Sequence, residues 1–271
     1  MRKARQAAGT GAGKGTPDLA PQGVPRPEVS AFLDRLLDAG RFEDYCPNGL
    51  QVEGRPVIRR VLTAVTASVA ALRRAAETGA DALIVHHGWF WRGDDPCVTG
   101  TRRERLALAL RHEINLYAYH LPLDAHPEVG NNARLARVLG WEIGGRFGAR
   151  DLGCWADLER ALDARSLAAR VARRLGRRPL AVGTPPASIA RVAWCTGAAQ
   201  DMIEAAVEAG AQAFVSGEIS ERTTHVAREA GVLYLAAGHH ATERYGVQAL
   251  GERLAAQYGL AHEFFDDANP V

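Results

Sequence analysis

Short apolar runs alternate with amphipathic stretches along most of the chain. An apolar, β-branched run over residues 57–65 is followed by helical spacing over residues 68–78, a closing Gly79 and a fully apolar run at residues 82–85. Short continuous apolar runs are typical of strands buried on both faces, and helices between them are typical of crossover connections. The pattern therefore predicts parallel strands covered by helices.

The same order of elements returns in the second half of the chain. Aligning the two stretches puts Val61 on Val192 and Gly79 on Gly210. An internal duplication would explain this match, and the alternative is that two unrelated β-α-β units share a common pattern. The later elements are a strand at residues 189–195, a helix at 199–209 and a strand at 213–215, with a third strand in each half at 114–119 and 232–236.

The remaining pattern completes the fold prediction. It indicates a helix over residues 27–39, strands at 141–147, 152–156 and 180–182, and a helix at 166–175 with a serine cap. From these elements we predict an α/β fold of two related α/β lobes with mainly parallel strands and a metal site in the cleft between them. The lobes are expected at residues 26–140 and 141–271, with a soft boundary and a C-terminal segment that can pack back on the first lobe.

The first residues differ in composition from the rest. Residues 1–25 are rich in Gly, Ala, Pro, Lys and Arg with almost nothing to bury, which predicts a disordered tail. Within it, residues 9–16 imitate a phosphate-binding loop, but Gly15 follows Lys14 where the motif needs Ser or Thr, and no strand precedes the loop. A nucleotide site in the tail is therefore not expected.

Composition and charge narrow the class of protein. The chain has 271 residues, 47% of them apolar, and its net charge of +2 does not indicate the basic surface of a dedicated nucleic-acid domain. Its four cysteines form no C-x-x-C pair, which argues against a zinc ribbon or a redox dithiol. Neither a membrane span nor a signal-peptide core is found, so we expect a cytoplasmic protein without membrane contact.

Imidazole and carboxylate side chains cluster where predicted strands end. The four segments are residues 85–88, 120–124, 216–218 and 238–243. Because ligands bind outside the carboxyl ends of strands in open α/β sheets, these side chains can converge. Burying the adjacent imidazoles of His86 and His87 without partners would cost about 1 to 3 kcal/mol each. Mixed imidazole and carboxylate ligands without thiolate suit zinc, iron, manganese or nickel, and five or more candidates favour two adjacent metals over one.

Spacing adds further candidates. His239 and Glu243 are four residues apart, so a helix would put both on one face, where they can grip the same ion. Asp124 can supply a second carboxylate from the neighbouring strand end. Pro122 argues against a helix around Asp124, so His120 is expected to contact substrate or support a ligand. His120 is therefore the first candidate for a general base or proton shuttle, and the weaker candidates are Glu218 and His240.

Three motifs match a known family in order. They are His86-His87-Gly88, His120-Leu121-Pro122-Leu123-Asp124-Ala125-His126-Pro127 with Gly130-Asn131-Asn132, and Gly238-His239-His240-Ala241-Thr242-Glu243-Arg244. Over residues 27–270 the chain resembles the Nif-three-like dinuclear metal-centre proteins, whose bacterial members are commonly named GTP cyclohydrolase I type 2 homologues. It is similar to the short form of the family, without the central insertion of some members.

The resemblance implies a site, an assembly and a reaction. It makes His87 and Asp124 ligands of one metal, His86 and His239 ligands of the other, and Glu243 a bridge between them. It also implies a toroidal homohexamer whose metal sites face an internal cavity. The reaction that it implies is opening of the imidazole ring of GTP with release of formate.

Three functions stay open at this point. The first is a metal-dependent hydrolase with two divalent metal ions, acting on GTP or a related nucleotide-like substrate. The second is a non-catalytic, metal-binding hexameric ring that contacts nucleic acid or protein partners, and the third is a structural metal protein. Since imidazole and carboxylate accept several metals, the sequence does not choose among zinc, iron, manganese and nickel.

Overall fold

The computed structural model describes residues 23–271. Residues 1–22 of the predicted tail lie outside the described residues, and so does the segment at residues 9–16 that resembles a phosphate-binding loop. Residues 24 and 25 form a short strand that pairs antiparallel with Val57–Ile58. Within the described part of the chain, no helix combines the length and apolarity needed to cross a bilayer.

Strands and helices alternate through the described residues. The strands are β1 (Val24–Pro25), β2 (Gly49–Val52), β3 (Val57–Ile58), β4 (Arg60–Thr66), β5 (Ala82–His87), β6 (Asn115–Ala118), β7 (Gly145–Phe147), β8 (Gly153–Leu162), β9 (Leu180–Gly183), β10 (Ile189–Trp194), β11 (Ala213–Ser216), β12 (Leu233–Ala236) and β13 (Ala261–Phe264). The helices are α1 (Arg26–Leu37), α2 (Val69–Thr78), α3 (Gly100–Arg111), α4 (Leu121–Ala125), α5 (Asn131–Leu139), α6 (Ala164–Leu175), α7 (Ile203–Glu208), α8 (Glu221–Glu229) and α9 (His239–Tyr258). Short 3-10 turns lie at Ala39–Arg41, Ala149–Asp151 and Gln200–Met202.

The first large sheet has the strand order β13-β4-β5-β6-β2. Its first four strands are parallel, and β2 pairs antiparallel with β6 at the edge. Successive side chains point to opposite faces, so Ile84 packs with α1 and α9 while Leu83 and Val85 pack with α2 and α3. Burial on both faces explains why these strands are continuous apolar runs in the sequence.

The second large sheet has the strand order β7-β8-β10-β11-β12-β9. Its central strands β10, β11 and β12 are parallel, whereas the pairs at both edges are antiparallel. Val215 packs with α5 and α6 on one face, and Phe214 packs with α7 and α8 on the other. The predicted α/β fold with parallel strands is confirmed, although parallel pairing in this sheet is confined to its centre.

The two sheets repeat one unit, β4-α2-β5-α3-β6 and β10-α7-β11-α8-β12. Val61 pairs with Ala82 in the first unit, and Val192 pairs with Ala213 in the second. The alignment of Val61 with Val192 that the sequence suggested therefore coincides with the strand register. Equivalent strand ends consequently lie at the same edge of each sheet.

Local signals explain where the helices begin and end. Ser68 caps α2 by accepting a hydrogen bond from the Ala71 N–H at 3.1 Å, and Gly79 ends the helix at a φ of 65°, where a Cβ would be strained. The serine cap predicted for α6 is wrong. Asp163 caps that helix instead, accepting a hydrogen bond from the Ser166 N–H at 2.9 Å. Aspartate is as good an N-cap as serine, so the helix begins two residues earlier, at Ala164.

Helix α9 connects the two sheets. It begins at His239, soon after β12 of the second sheet, and its Val247, Leu250 and Leu254 pack in the core under the first sheet. Strand β13 then lies beside β4 as the edge strand of the first sheet. The first turns of α9 are therefore placed where the two sheets meet. A division of the chain into lobes at residue 140 stays a prediction.

Several predicted elements differ from the observed ones. The strand predicted at residues 152–156 continues to Leu162 as β8, and the helix predicted at 199–209 is α-helical over Ile203–Glu208. The strand predicted at residues 141–147 is confined to Gly145–Phe147, because Trp141 is buried against Trp194, with 5.2 Å between ring centroids, instead of joining a ladder. A helix does form around Asp124: α4 contains Pro122 in its first turn, where the missing proline N–H needs no helical partner.

Candidate metal centre

The five predicted ligand residues come from elements that end in one place. His86 and His87 end β5, Asp124 lies in α4 just after β6, and His239 and Glu243 lie at the start of α9 after β12. All five therefore lie at or just after the carboxyl ends of parallel strands, as expected for a site in an α/β fold. The centre of the cluster is deeply buried, since His86 is 0% and Glu243 3% exposed, whereas the side chains of His87 and His239 are 18% and 25% exposed.

Glu243 lies at the centre of this cluster. Its carboxylate oxygens are 3.5 Å from His86 Nε2, 3.2 Å from His87 Nε2 and 3.0 Å from His239 Nε2. Asp124 Oδ1 is likewise 3.5 Å from His86 Nε2. Among these five residues the ligand atoms form two triads with separations of at most 4.8 Å, one of His87, His239 and Glu243 and the other of His86, Asp124 and Glu243. A further group within the same limit joins His86 and His87 with His120.

The grouping of these residues differs from the pairing that the family resemblance implies. The resemblance pairs His87 with Asp124 and His86 with His239, whereas the two triads pair His87 with His239 and His86 with Asp124. The five residues and the shared position of Glu243 are the same in both. The arrangement can therefore hold two ions that share one carboxylate.

Four of the five candidate ligands are held from behind by a hydrogen bond. His86 Nδ1 donates to the Tyr119 carbonyl at 2.9 Å, and His239 Nδ1 donates to the Glu218 carboxylate at 2.6 Å. In a neutral imidazole this leaves Nε2 as the acceptor, directed at the cluster, which is how metal-binding histidines are oriented. The other supporting bonds join Thr66 Oγ1 to His87 Nδ1 at 3.3 Å and Asn131 Nδ2 to Asp124 Oδ1 at 2.8 Å.

The protonation of the cluster is set by its carboxylates. Burial disfavours the charged form of His86, but Asp124 and Glu243 outweigh burial and raise the pKa of His86 to about 10. His239 is also opposed by burial, yet the carboxylates beside it raise its pKa to about 9. Burial lowers the pKa of His87, and the imidazoles hold the pKa of Glu243 well below its usual range although burial acts against this. Protons thus balance the buried carboxylates when no cation is bound, and a cation would displace them.

The cluster contains two buried polar atoms without a hydrogen-bond partner among the described residues. They are His86 Nε2 and Glu243 Oε2. Both have polar neighbours within 3.5 Å, but these atoms converge on a common space instead of pairing along hydrogen-bond directions. A cation between the two atoms would satisfy both. The residues present therefore fit a metal with nitrogen and oxygen ligands.

Two glycines let the backbone approach the cluster. Gly197, after β10, has a φ of 68°, and a Cβ there would overlap the Glu243 carboxylate and lie 3.1 Å from His239 Nε2. Gly217, after β11, would place a Cβ 2.6 Å from both the Gly197 carbonyl oxygen and His239 Cα. These strand ends therefore contribute by leaving room for the cluster.

His120 borders the cluster without touching Glu243. Its ring centroid is 5.0 Å from that of His86 and 5.9 Å from that of His87, and its Nδ1 lies 2.8 Å from Asp44 Oδ1. Burial opposes ionisation of Asp44, but hydrogen bonds from His120 and Asn48 outweigh it and lower the pKa of Asp44 to about 2. Ionised Asp44 holds the Nδ1–H of His120, so the neutral imidazole presents Nε2 as an acceptor.

The two weaker proton-shuttle candidates have other partners. Glu218 lies behind His239, and His240 Nε2 is 2.7 Å from Asp266 Oδ1. Asp44, which the sequence reasoning missed, lies 76 residues before His120 in a loop. Its only sequence signal is a polar stretch ahead of β2, which does not distinguish it from an ordinary loop residue.

A small cavity opens beside the cluster. It has a volume of about 140 Å³ and is bordered by Thr66, His87, Glu218 and His239 among other residues. Cavities that enclose a whole small-molecule ligand are about 300 to 1,000 Å³. This one therefore has room for a reacting group and water, and the remainder of any larger substrate must lie outside it.

Known proteins share this fold and much of this sequence. The family model for Duf34/NIF3 (NGG1p interacting factor 3) matches residues 25–270. A Pseudomonas aeruginosa protein named GTP cyclohydrolase 1 type 2 homolog is 52% identical over 243 residues, which cover 88% of this chain and 95% of the relative. The crystal structure of TTHA1606 from Thermus thermophilus has a TM-score of 0.84 at 35% identity, covering 92% of this chain and 100% of its own.

A second solved structure is similar over the same extent. The protein ybgI, described as of unknown function, has a TM-score of 0.89 at 46% identity and covers 92% of this chain and 100% of its own. The family match and the relatives agree with the resemblance drawn from the three histidine and carboxylate motifs. The chain therefore belongs to the Duf34/NIF3 family.

Proposed function

We propose that the chain is a metal-dependent hydrolase that holds two divalent metal ions at His86, His87, Asp124, His239 and Glu243. Glu243 is proposed as the bridge between the ions, because it is common to both triads. The proposed substrate is nucleotide-like, with GTP as the first candidate, since the curated relatives are named GTP cyclohydrolase 1 type 2 homolog. Opening of a ring by water is the reaction that this name suggests.

The observation that carries the proposal is the pair of unpartnered buried atoms, His86 Nε2 and Glu243 Oε2. Buried polar groups in proteins almost always have hydrogen-bond partners, so two exceptions in one cluster indicate that a positively charged binding partner belongs there. The bonds behind His86 and His239 support the same conclusion, because carbonyl and carboxylate acceptors commonly orient metal-binding imidazoles.

The chain's own residues supply binding and proton transfer. Two divalent cations, when bound, supply Lewis acidity and lower the pKa of water. His120 is proposed as the general base, since Asp44 holds its Nδ1–H and leaves Nε2 to accept a proton from the attacking water. The imidazolium formed can return that proton to the leaving group. Burial of the cluster limits access of bulk water to the reacting bond.

A homohexamer is proposed from the family resemblance. Light scattering on the purified chain measures its mass in solution. A mass of six chains agrees with the proposal, and a monomer or dimer at micromolar concentration contradicts it.

Turnover by the purified chain tests the proposed activity. GTP and a panel of nucleotides are assayed with and without added zinc, manganese, iron or nickel, using the parent, Glu243→Ala and the control Glu221→Ala. Glu221 is exposed, pairs with His225 on α8 and is none of the candidate ligands. We expect metal-dependent turnover that Glu243→Ala abolishes and Glu221→Ala retains, and equal turnover by Glu243→Ala contradicts the proposal. Absence of metal-dependent turnover, together with salt-sensitive DNA binding, favours the non-catalytic ring.

A further inference from the structure

Two aromatic side chains, Tyr45 and Trp91, flank His120 beside the candidate metal centre. The ring centroid of Trp91 is 5.0 Å from that of His120, with the planes at 83°, and 6.1 Å from that of His87. The centroid of the Tyr45 ring lies 6.3 Å from that of His120. Tyr45 is 55% exposed, although an aromatic ring of this size is usually more deeply buried. The pair therefore presents aromatic surface at the rim of the centre.

Hydrogen bonds hold the two loops that carry this pair, and one of them fixes the Trp91 ring. The Arg92 N–H donates to the Tyr45 carbonyl at 2.7 Å, and Arg92 Nη2 donates to the Asp44 carbonyl at 3.1 Å, which ties the two loops together. Trp91 Nε1 donates to the Gly88 carbonyl at 3.2 Å. The single N–H donor of the indole is thus satisfied within the protein, and a ligand ring can contact the indole only through stacking. Rings held before a ligand arrives lose little conformational freedom on binding.

The cavity beside the cluster is too small to hold a whole nucleotide. About 140 Å³ beside the cluster admits a reacting group, so the rest of a nucleotide-sized substrate must be bound outside it. His87 borders both that cavity and Trp91. Tyr45 and Trp91 do not line the cavity themselves, so the aromatic pair lies just outside it, across His87 and His120 from the cluster.

We infer that Tyr45 and Trp91 form a stacking platform for a planar heteroaromatic ring of the substrate, such as a nucleobase. The inference rests on the proposed function, because it names the part of the substrate that the rim recognises. Aromatic faces stack with any base, so the platform gives affinity for the ring class without choosing one base. Removing one stacking side chain weakens binding of a base by about 5- to 150-fold.

Binding measurements on the metal-loaded full chain test the platform. Calorimetric titration compares GTP and guanosine with sodium triphosphate, which carries no ring. The variants are Trp91→Ala, Trp91→Phe and Tyr45→Ala, with Phe90→Ala as the matched control. Phe90 is in the same loop and 39% exposed, but its ring neighbours Trp89, at 6.4 Å, instead of the histidines.

We expect Trp91→Ala to weaken binding of GTP and guanosine by about 5- to 150-fold and to leave triphosphate binding unchanged. Trp91→Phe should restore most of the affinity, and Phe90→Ala should match the parent. Metal content and thermal unfolding are measured for each variant. If Trp91→Ala fails to fold or loses metal, Tyr45→Ala decides, since Tyr45 contacts His120 and none of the proposed ligands.

Three results would overturn the platform. One is unchanged affinity for GTP in Trp91→Ala and Tyr45→Ala, another is an equal loss of triphosphate binding, and the third is no binding of any nucleoside or nucleotide at millimolar concentration. The outcome is separable from that of the proposed function. Ring-dependent binding without turnover refutes the hydrolase and retains the platform. Metal-dependent turnover with an unchanged KM in Trp91→Ala supports the hydrolase and refutes the platform.

Discussion

Replacing Glu218 by glutamine tests whether the bond behind His239 serves a metal ligand. The Glu218 carboxylate accepts from His239 Nδ1 at 2.6 Å, and its side chain is 35% exposed. Glu218→Gln keeps the size of the side chain but replaces a charged acceptor by a neutral amide. A neutral acceptor holds the Nδ1–H less strongly and leaves Nε2 less basic, so metal binding should weaken while the fold is retained.

The expected size of the effect follows from the position of Glu218. Loss of a partner behind a metal ligand typically lowers metal affinity about 10- to 100-fold, which is about 1.4 to 2.8 kcal/mol. Because Glu218 is partly exposed, water can replace part of the lost bond, and we expect a loss near tenfold. The matched control is Glu221→Gln, since Glu221 is bonded to His225 at the same 2.6 Å but is 85% exposed on α8.

Competition titration of the metal-free chain with zinc, against a chelator of known affinity, measures the dissociation constant for the parent and both variants. Thermal unfolding without metal shows whether the fold is retained. A selective loss of affinity in Glu218→Gln agrees with the account. If Glu218→Gln binds metal as tightly as Glu221→Gln and the parent do, the bond behind His239 does not support a metal ligand.

Three further perturbations address the cluster and the loop behind it. Gly197→Ala places a Cβ against the Glu243 carboxylate at a φ of 68°. We therefore expect a loss of about 1 to 2 kcal/mol in unfolding free energy and no metal uptake. Normal metal content, measured by elemental analysis, would contradict this packing. Asp44 has a folded pKa of about 2, below its ordinary 3.8, so it stabilises the fold above pH 4 and this contribution fades as the pH falls towards 2. Asp44→Asn should therefore lower the unfolding free energy by about 2 kcal/mol at pH 6 and much less at pH 2.5, and urea titrations giving one constant difference would contradict this. Metal at a hundred times its dissociation constant should raise the unfolding free energy by about 2.7 kcal/mol and a chelator should reverse the gain, whereas unchanged melting curves would exclude binding to the folded state.

The candidate ligands could be identified from sequence because each follows a recognisable strand or starts a helix. His86 and His87 end an apolar run, and the four-residue spacing of His239 and Glu243 matches one face of α9. The carboxyl ends of parallel strands lie at one edge of a sheet, so local patterns are sufficient to predict that these distant residues lie close together. The position of Glu243 between three imidazoles required the packing of α9 on the first sheet, which no local pattern specifies.

Residues in irregular loops could not be found in the same way. Asp44 and Tyr45 lie between α1 and β2, and Trp91 lies in the loop after β5, where no period marks which side chains point inwards. Their meeting at His120 depends on the bond from the Arg92 N–H to the Tyr45 carbonyl, a contact across two loops. Long-range loop contacts of this kind are set by tertiary packing and not by propensity.

The errors in the predicted elements have local physical causes. A proline inside a helix normally breaks it, but in the first turn of α4 Pro122 blocks no hydrogen bond. The antiparallel edges of the second sheet were not anticipated, since apolar runs predict strands without specifying their direction.

Anomalous scattering from crystals of the metal-loaded chain shows where the ions are bound. We expect two peaks about 3.5 to 4 Å apart, each within about 2.0 to 2.2 Å of nitrogen or oxygen atoms from His86, His87, Asp124, His239 and Glu243, with Glu243 bonded to both. Metal peaks that lie away from these five side chains, or a saturated crystal with no peak among them, would contradict it.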